Sequence, residues 1–321
     1  MKEINLLFLA PHWRVSLIDA FKGALASVST LSGKLVGADN DSFSPTFKIL
    51  NEARVIPAFE HPECLEAVLD LCRSHDIQAI IPLTNKAVEF LDAHRKQFPD
   101  PNILRYVQNS KTIELCHDKL KMARTFAASG IAVPHTLPAN EVDEVEEHDF
   151  PLIAKKRQGE GGKDIAIIED EKDLHFYASK YPQHIFQKFI DGREFSIDWY
   201  SDQKGRPLLI VPRERLAVRG GEVAVSRIHM DHEIIQSIKK TGMALGLRGP
   251  CNLQGILDAS EKFWLTDINL RFGSGSVHTI AAGGNMPLMI YKELETGSPE
   301  SGLSAIKDHS VMTRFHNAFF Y

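Results

Sequence analysis

Residues 150–170 read FPLIAKKRQGEGGKDIAIIED: an apolar run, a glycine-bearing tip and a second apolar run. The tip, Arg157 to Asp164, has the composition of a segment whose bare amides cradle phosphate. A Walker-type loop needs G-x-x-x-x-G-K-[ST] and opens directly into a helix. Here Lys163 is followed by Asp164, and Ile165 to Ile168 continue as a strand-type run. The reading is therefore two antiparallel strands joined by a lid, with the amides of Gly161 and Gly162 and the ammonium of Lys163 offered to phosphate. An ordinary hairpin tip has the same composition, so nearby cations tip the balance. Lys155, close to the end of the first strand, and Lys119, at the start of an upstream helix, each supply a point charge.

Upstream, the first hundred residues alternate strand and helix: INLLFLA, VSLIDAFKGALAS, KLVGAD, RVIPAF, PECLEAVLDLCRSHD and AIIPL. That alternation predicts a parallel sheet covered on both faces, with ligands at the carboxyl ends of its strands. The first strand-to-helix turn reads A-P-H-W-R and lacks G-x-G-x-x-G, which argues against a dinucleotide site with Asp39 on the ribose. His12 and Trp13 in that turn are substrate-side candidates. A helix over 117–129 ends at Gly130, with Pro134 shortly after. NEVDEVEEHD is a solvated loop or short surface helix, and beyond Phe150 the chain is β-rich apart from a helix around Glu233 to Leu245.

Near the C-terminus, CNLQGILD and KFWLTDINLR form a hairpin closed by ASEK. If Asp258 and Phe263 flank that loop, Gln254 lies opposite Asp267 and Asn252 opposite Asn269. Alternate side chains share a face, so Gln254, Asp267 and Asn269 converge, with Arg271 one step further along. Oxygen ligands with room for water and phosphate suit Mg²⁺ rather than zinc, with Mn²⁺ as an alternative. A slip of one residue would turn Gln254 to the other face. Arg213 and Arg215 are candidates for a substrate carboxylate, with surface pairing to Glu214 and Glu222 as the competing account. Ser274 to Ser276 either present amides to a substrate or form a tight turn, and His278 is read as structural.

The formal charge of -5, from 37 Lys+Arg against 42 Asp+Glu, lacks the basic footprint of a nucleic-acid binder. The opening apolar run, Leu6 to Ala10, is too short for a signal-peptide core, and no run approaches a membrane span. Cys64, Cys72, Cys116 and Cys251 show no C-x-x-C spacing, so reduced thiols in a cytoplasm are expected. A chain of 321 residues implies two or three lobes.

Taken in order, these segments resemble the ATP-grasp superfamily, specifically its short carbamoyl-phosphate-synthase-large-chain-like ligases. Asp118-Lys119 resembles the family's first phosphate lysine, F-P-L-I-A-K makes Lys155 the second, and RQGEGGKD resembles its glycine lid. HIFQKFIDGREFSID is similar to the hinge motif, which implies that Gln187, Lys188, Phe189 and Ile190 line adenine and that Glu194 holds the ribose hydroxyls. N-L-Q and T-D-I-N-L-R resemble the metal-binding segments, with Asp267 standing where a Glu is commoner and Gln187 likewise. T-N-K-A-V departs from the family's T-D-x-E-L, so no substrate contact carries over there. The implied fold is a Rossmann-like, parallel-sheet α/β domain over 1–110 and a two-lobed α+β ATP-grasp domain over 111–321, with its lid about 124–190 and its metal lobe about 191–321. The implied activity is ATP- and Mg²⁺-dependent joining of a small carboxylate to an amine through an acylphosphate, releasing ADP. Catalysis would fall to Arg271, Asp267 and Asn269, with Arg213, Arg215 and Ser274 toward the substrate. Formation of a carbamoyl- or acylphosphate alone, and ATP binding without catalysis, are the alternatives. A homodimer is expected, with no nucleic acid or membrane partner.

Overall fold

A computed structural model describes residues 1–159, 165–299, 305–315 and 317–320. Gly161, Gly162 and Lys163, expected at the lid tip, lie outside the described residues. The N-terminal part runs β1 (Lys2–Glu3), β2 (Asn5–Leu9), α1 (Val15–Ala26), β3 (Leu31–Ser32), β4 (Leu35–Asp39), β5 (Glu52–Val55), α2 (Cys64–Ser74), β6 (Ile77–Pro82) and α3 (Asn85–Ala93). β2, β4, β5 and β6 form a parallel sheet in the order β5-β4-β2-β6, while β1 and β3 make a small separate pair. β2 is buried on both faces, as its unbroken apolar run requires.

Two short helices follow, α4 (Ser110–His117) and α5 (Lys119–Ala128), rather than one helix from 117. The break is Asp118, whose carboxylate caps α5 by accepting from the amides of Leu120 and Lys121. The next elements are β7 (Thr136–Pro138), β8 (Leu152–Lys156), β9 (Ala166–Ile168), α6 (Glu171–Lys180) and β10 (His184–Lys188), giving a four-stranded sheet ordered β7-β10-β8-β9. β8 and β9 pair antiparallel, Leu152 with Ile168 and Ala154 with Ala166, so the glycine segment does join a hairpin. The helix α6, between β9 and β10, was not foreseen in this β-rich stretch.

The remainder comprises β11 (Gly192–Ser201), β12 (Pro207–Arg219), β13 (Glu222–Ile228), α7 (His232–Leu245), β14 (Gly249–Asp258), β15 (Phe263–Asn269), α8 (Ser276–Ala281), α9 (Met286–Thr296) and β16 (Val311–Thr313). Its six strands form one sheet ordered β15-β14-β11-β12-β13-β16. β14 ends at Asp258 and β15 begins at Phe263, so ASEK joins them as expected, but Leu257 rather than Asp258 pairs with Phe263, and Gly255 pairs with Leu265. A bulge at Thr266 then shifts the register, and Gln254 faces Asp267 while Asn252 faces Asn269. The bulge also switches parity: Phe263 and Leu265, then Ile268 and Leu270, all enter one core. The opposite face is left to Asp267 and Asn269.

Three cores result. Two of them mix residues of the N-terminal sheet with residues of the six-stranded sheet, such as Leu7 with Leu253 and Phe8 with Val211. The third, which includes Leu152, Ile168, Leu174 and Phe186, is confined to the four-stranded sheet and its flanking segments. Buried Glu293 accepts from the hydroxyls of Tyr106 and Tyr200 and from the amide of Gln203, tying α9 to both. Among the described residues no helix is long and apolar enough to cross a membrane, and the four cysteines are free and buried.

Inside the six-stranded sheet, Asp198 and Arg213 are 0% and 1% exposed and bonded at 2.8 Å. Asp198 also accepts from Asn252, Ser276 and Thr279. Burial alone would raise this carboxyl, but the guanidinium and the hydroxyls hold it below its ordinary value. A Cβ on Gly275 would lie 2.4 Å from Arg213 Nη1, which explains the glycine before α8. Asp198→Ala would strand Arg213 in the interior and is expected to cost about 3–5 kcal/mol in a denaturant titration. Arg54→Ala at an exposed pair is expected to cost about 1 kcal/mol or less.

Candidate active site

The carboxyl ends of β2, β4 and β6 open onto a cavity of ≈ 920 Å³. Its wall continues through α3, α4 and the first residue of α5 to Asp267 on β15, with Gln158 and Gly159 on the lid side. A cavity at the carboxyl ends of parallel strands is where such sheets bind ligands. Here it is completed by Asp267 and Ile268 of the β14–β15 hairpin.

On that hairpin the polar face is internally wired. Asn269 Nδ2 donates to Asp267 Oδ2 at 3.1 Å, and Asn269 Oδ1 accepts from Arg271 Nη2 at 3.0 Å. Asn85, from the N-terminal part, donates to the same oxygen at 3.4 Å. Arg271 Nη1 donates to the Phe272 carbonyl at 2.9 Å. Gln254, Asp267 and Asn269 thus share a face as the sequence spacing implied. Asn252, opposite Asn269, is instead buried and donates to Asp198.

Lys155 lies on β8 beside β10 and donates to Gln187 Oε1 at 2.8 Å, while Gln187 Nε2 donates to Thr136 Oγ1 at 2.8 Å. Glutamine suits this place because it can accept from one neighbour and donate to the other. Burial brings the Lys155 ammonium down to about 8; Asp267 pulls the other way and Lys119 adds to the lowering. These three charges therefore sit within electrostatic reach of one another. Lys119 Nζ donates to the Gly159 carbonyl at 2.9 Å. Asp118, besides capping α5, holds Arg157 through two guanidinium nitrogens, at 2.9 and 2.6 Å. The Asp of the Asp-Lys pair is therefore a tether between helix and lid, a role that spacing alone did not reveal.

Of the hinge residues, the Lys188 amide donates to the His135 carbonyl and that of Phe189 to the Pro151 carbonyl. No backbone acceptor for the Ile190 amide is found among the described residues. Glu194 is exposed and accepts from Arg215.

Arg213 is enclosed by the sheet and spends Nε and Nη2 on Asp198, while its Nη1 is buried with no hydrogen-bond partner among the described residues. Arg215 is committed to Glu194 rather than to Glu214 or Glu222, which pair with Arg227 and Arg314. Ser274 is half-buried, and its carbonyl accepts from Arg314 Nη2 at 2.6 Å. The loop around it leads into α8 instead of ending as a tight turn. His278 sits between Ser226 and Ser310, and burial takes it down to about 4, in keeping with a structural role. His12 lines the cavity and is bonded to Asp39.

Comparison with known proteins gives a consistent account. Residues 116–275 match the ATP-grasp domain family and residues 6–104 the PylC-like N-terminal domain family. A carbamoyl-phosphate synthase of Methanobrevibacter smithii is 25% identical over 142 residues, covering 43% of this chain and 39% of the relative. The chain thus spans about two fifths of that relative's length. In structure, the L-amino acid ligase of Bacillus licheniformis superposes with TM-score 0.70 at 19% identity, over 92% of this chain and 75% of the other. The biotin carboxylase domain of Hydrogenobacter thermophilus 2-oxoglutarate carboxylase, solved with MgADP, ADP and bicarbonate, gives 0.73 at 15% identity, over 97% and 74%.

Lys155 yields a pH test. Its folded pKa lies below its unfolded one, so between about 8 and 10.5 the unfolded chain holds the extra proton and stability rises with pH. Below about 8 the folded protein carries the full cost of the buried ammonium. Lys155→Met should be more stable than wild type near pH 7, with the difference shrinking toward pH 10 in parallel urea titrations.

Proposed function

Since the chain belongs to the ATP-grasp superfamily, we propose that it is an ATP- and Mg²⁺-dependent carboxylate–amine ligase that releases ADP by way of an acylphosphate. One observation carries this reading. Asp267 lies opposite Gln254, accepts from Asn269, feels Lys155 and lines the large cavity.

The donor set fits a magnesium ion. Among the described residues no group of three or more His, Cys, Asp or Glu is poised for a metal, which leaves one carboxylate and two amide side chains on one strand face. Magnesium takes one or two carboxylates and fills its octahedron with water and phosphate oxygens. Asp267, Gln254 and Asn269 would hold it, and when bound it neutralises phosphate charge. Mn²⁺ is accommodated by the same oxygens.

Phosphoryl transfer demands positioning and charge neutralisation more than covalent help. Lys155 and Lys119 supply fixed positive charge to the phosphates, and the amides of Gly161 and Gly162 and the ammonium of Lys163 are assigned to the same phosphates. Arg271, clamped by Asn269 and the Phe272 carbonyl, faces the transferring phosphoryl group and the acylphosphate. With the amides of Lys188 and Phe189 already bonded, the edge of adenine is left to the hinge carbonyls and the Ile190 amide. Glu194, held by Arg215, accepts from the ribose hydroxyls. Ser274 stands at the loop that follows Arg271, toward the substrate. In this reading residues 1–110 select a substrate, 124–190 close over the phosphates and 191–321 hold the metal.

The carbamoyl-phosphate synthase relatives favour a second reading, in which an acyl- or carbamoylphosphate is itself the product. Mass spectrometry of products with and without amines separates the two. Asp267→Asn is expected to reduce substrate-dependent ADP release by about 100-fold or more while the protein still folds. Turnover at the wild-type rate would overturn the assignment.

A further inference from the structure

Lys155 has no negative partner of its own. Its amine donates to Gln187 Oε1 at 2.8 Å, a neutral acceptor, and among the described residues it forms no ion pair with a carboxylate. Nearby cations differ: Lys86 faces Glu60 at 2.9 Å and Arg157 faces Asp118 at 2.6 Å.

The neutral acceptor is held in place from behind. Thr136 Oγ1 donates to the Pro134 carbonyl at 2.8 Å, so its one proton is used and it accepts from Gln187. Gln187 Nε2 therefore turns to Thr136, at 2.8 Å, and Oε1 turns to Lys155. Gln187 is 4% exposed, so water competes little for either end. A carboxylate at 187 would set one lone pair against another at Thr136, and the relay selects an amide instead.

This side of the four-stranded sheet is otherwise uncharged. Ile153 pairs with Gln187 and Ile167, and Ile185 pairs with Lys155 and Pro138. Lys156, His184 and Lys188 alternate onto the opposite side. The charges that reach Lys155 come from other elements. Burial dominates and brings the amine down to about 8; Asp267 on β15, not bonded to it, favours the ammonium, and Lys119 on α5 opposes it.

We propose that Gln187 is a positioning residue that keeps Lys155 without a counter-charge, so that a nucleotide phosphate is the first anion to reach it and binding takes up a proton at alkaline pH. The proposal rests on the nucleotide reading above and adds the regulation of that site by pH. One proton passes from solvent to Lys155 Nζ as the phosphate oxygen arrives, and no covalent bond changes. Phosphate stabilises the ammonium, so the bound group titrates higher than the free one. Affinity is then full below the free value and falls as pH rises through it.

Calorimetric titration of MgADP in buffers of differing ionisation enthalpy counts the protons. Wild type should take up about 0.1 proton at pH 7 and about 0.8 at pH 8.5, and its Kd should rise about 10-fold from pH 7 to pH 9. Lys155→Arg keeps the positive charge and removes the titration, so uptake should fall to near zero and the change in Kd to about 2-fold or less. Gln187→Glu supplies the counter-charge, so uptake at pH 8.5 should also vanish while Kd at pH 7 rises. Thermal melting without nucleotide checks that each variant folds. If wild type binds MgADP without uptake at pH 8.5, or Lys155→Arg takes up protons as wild type does, the proposal is overturned and the nucleotide reading stands. If wild type binds no MgADP at any pH, both fall. Where Lys155→Arg binds too weakly to measure, Gln187→Glu decides, and wild-type uptake in that variant overturns the proposal.

Discussion

The buried pairing of Asp198 with Arg213 is the constraint on which the C-terminal lobe depends. It joins β11 to β12, reaches β14 through Asn252, and fastens α8 through Ser276 and Thr279. A carboxylate removed from water is tolerable only when every lone pair is used, and here one guanidinium, one amide and two hydroxyls use them. Asn252, on the same face as Gln254, is engaged by Asp198, and Gln254, Asp267 and Asn269 remain as the candidate ligand set. The loop carrying Ser274 is held against the same pair, because Gly275 lets Arg213 approach where a side chain would collide. Fold and site are therefore coupled through one buried ion pair.

Much of this was legible in the chain. The strand–helix alternation of the first hundred residues led to a parallel sheet, and the run after Lys163 led to a hairpin instead of a phosphate-loop helix. The facing of Gln254 and Asp267 also came out as expected, although by two compensating departures. Leu257 instead of Asp258 pairs with Phe263, one residue off the inferred register, and Thr266 bulges to restore it. The signal for that bulge was present: apolar residues at 263 and 265, then at 268 and 270, keep one face only if the pleat skips a residue between them. Regular alternation is easier to recognise than its interruption.

Long-range partners were the illegible part. Arg213 was read by its neighbours in sequence, yet its partner is 15 residues away across a strand pair. Asp118 was read as half of a phosphate motif, whereas its carboxylate caps one helix and grips Arg157 from the next sheet. In both cases the residue type announced a charge that needed a counter-charge, and only the fold decided which. The weakly amphipathic α6 and the short α8 escaped because their apolar residues serve contacts made by other segments. His12 and Asp39 were each noticed alone, and their pairing depends on adjacent strands ending at the same level.

The division of the apolar interior carries a mechanical consequence. Two cores are shared between the N-terminal sheet and the six-stranded sheet, so sliding those layers apart would expose both at once. The four-stranded sheet keeps its apolar contacts to itself. Its rotation as a body breaks chiefly polar tethers, such as Arg157 with Asp118 and Lys119 with Gly159. The four-stranded sheet is thus the part of the molecule joined to the rest mainly by polar contacts, while the other two sheets share their apolar interior. A ligand entering the cavity meets one wall built on a shared apolar interior and another, at Gln158 and Gly159, tied to it by polar contacts.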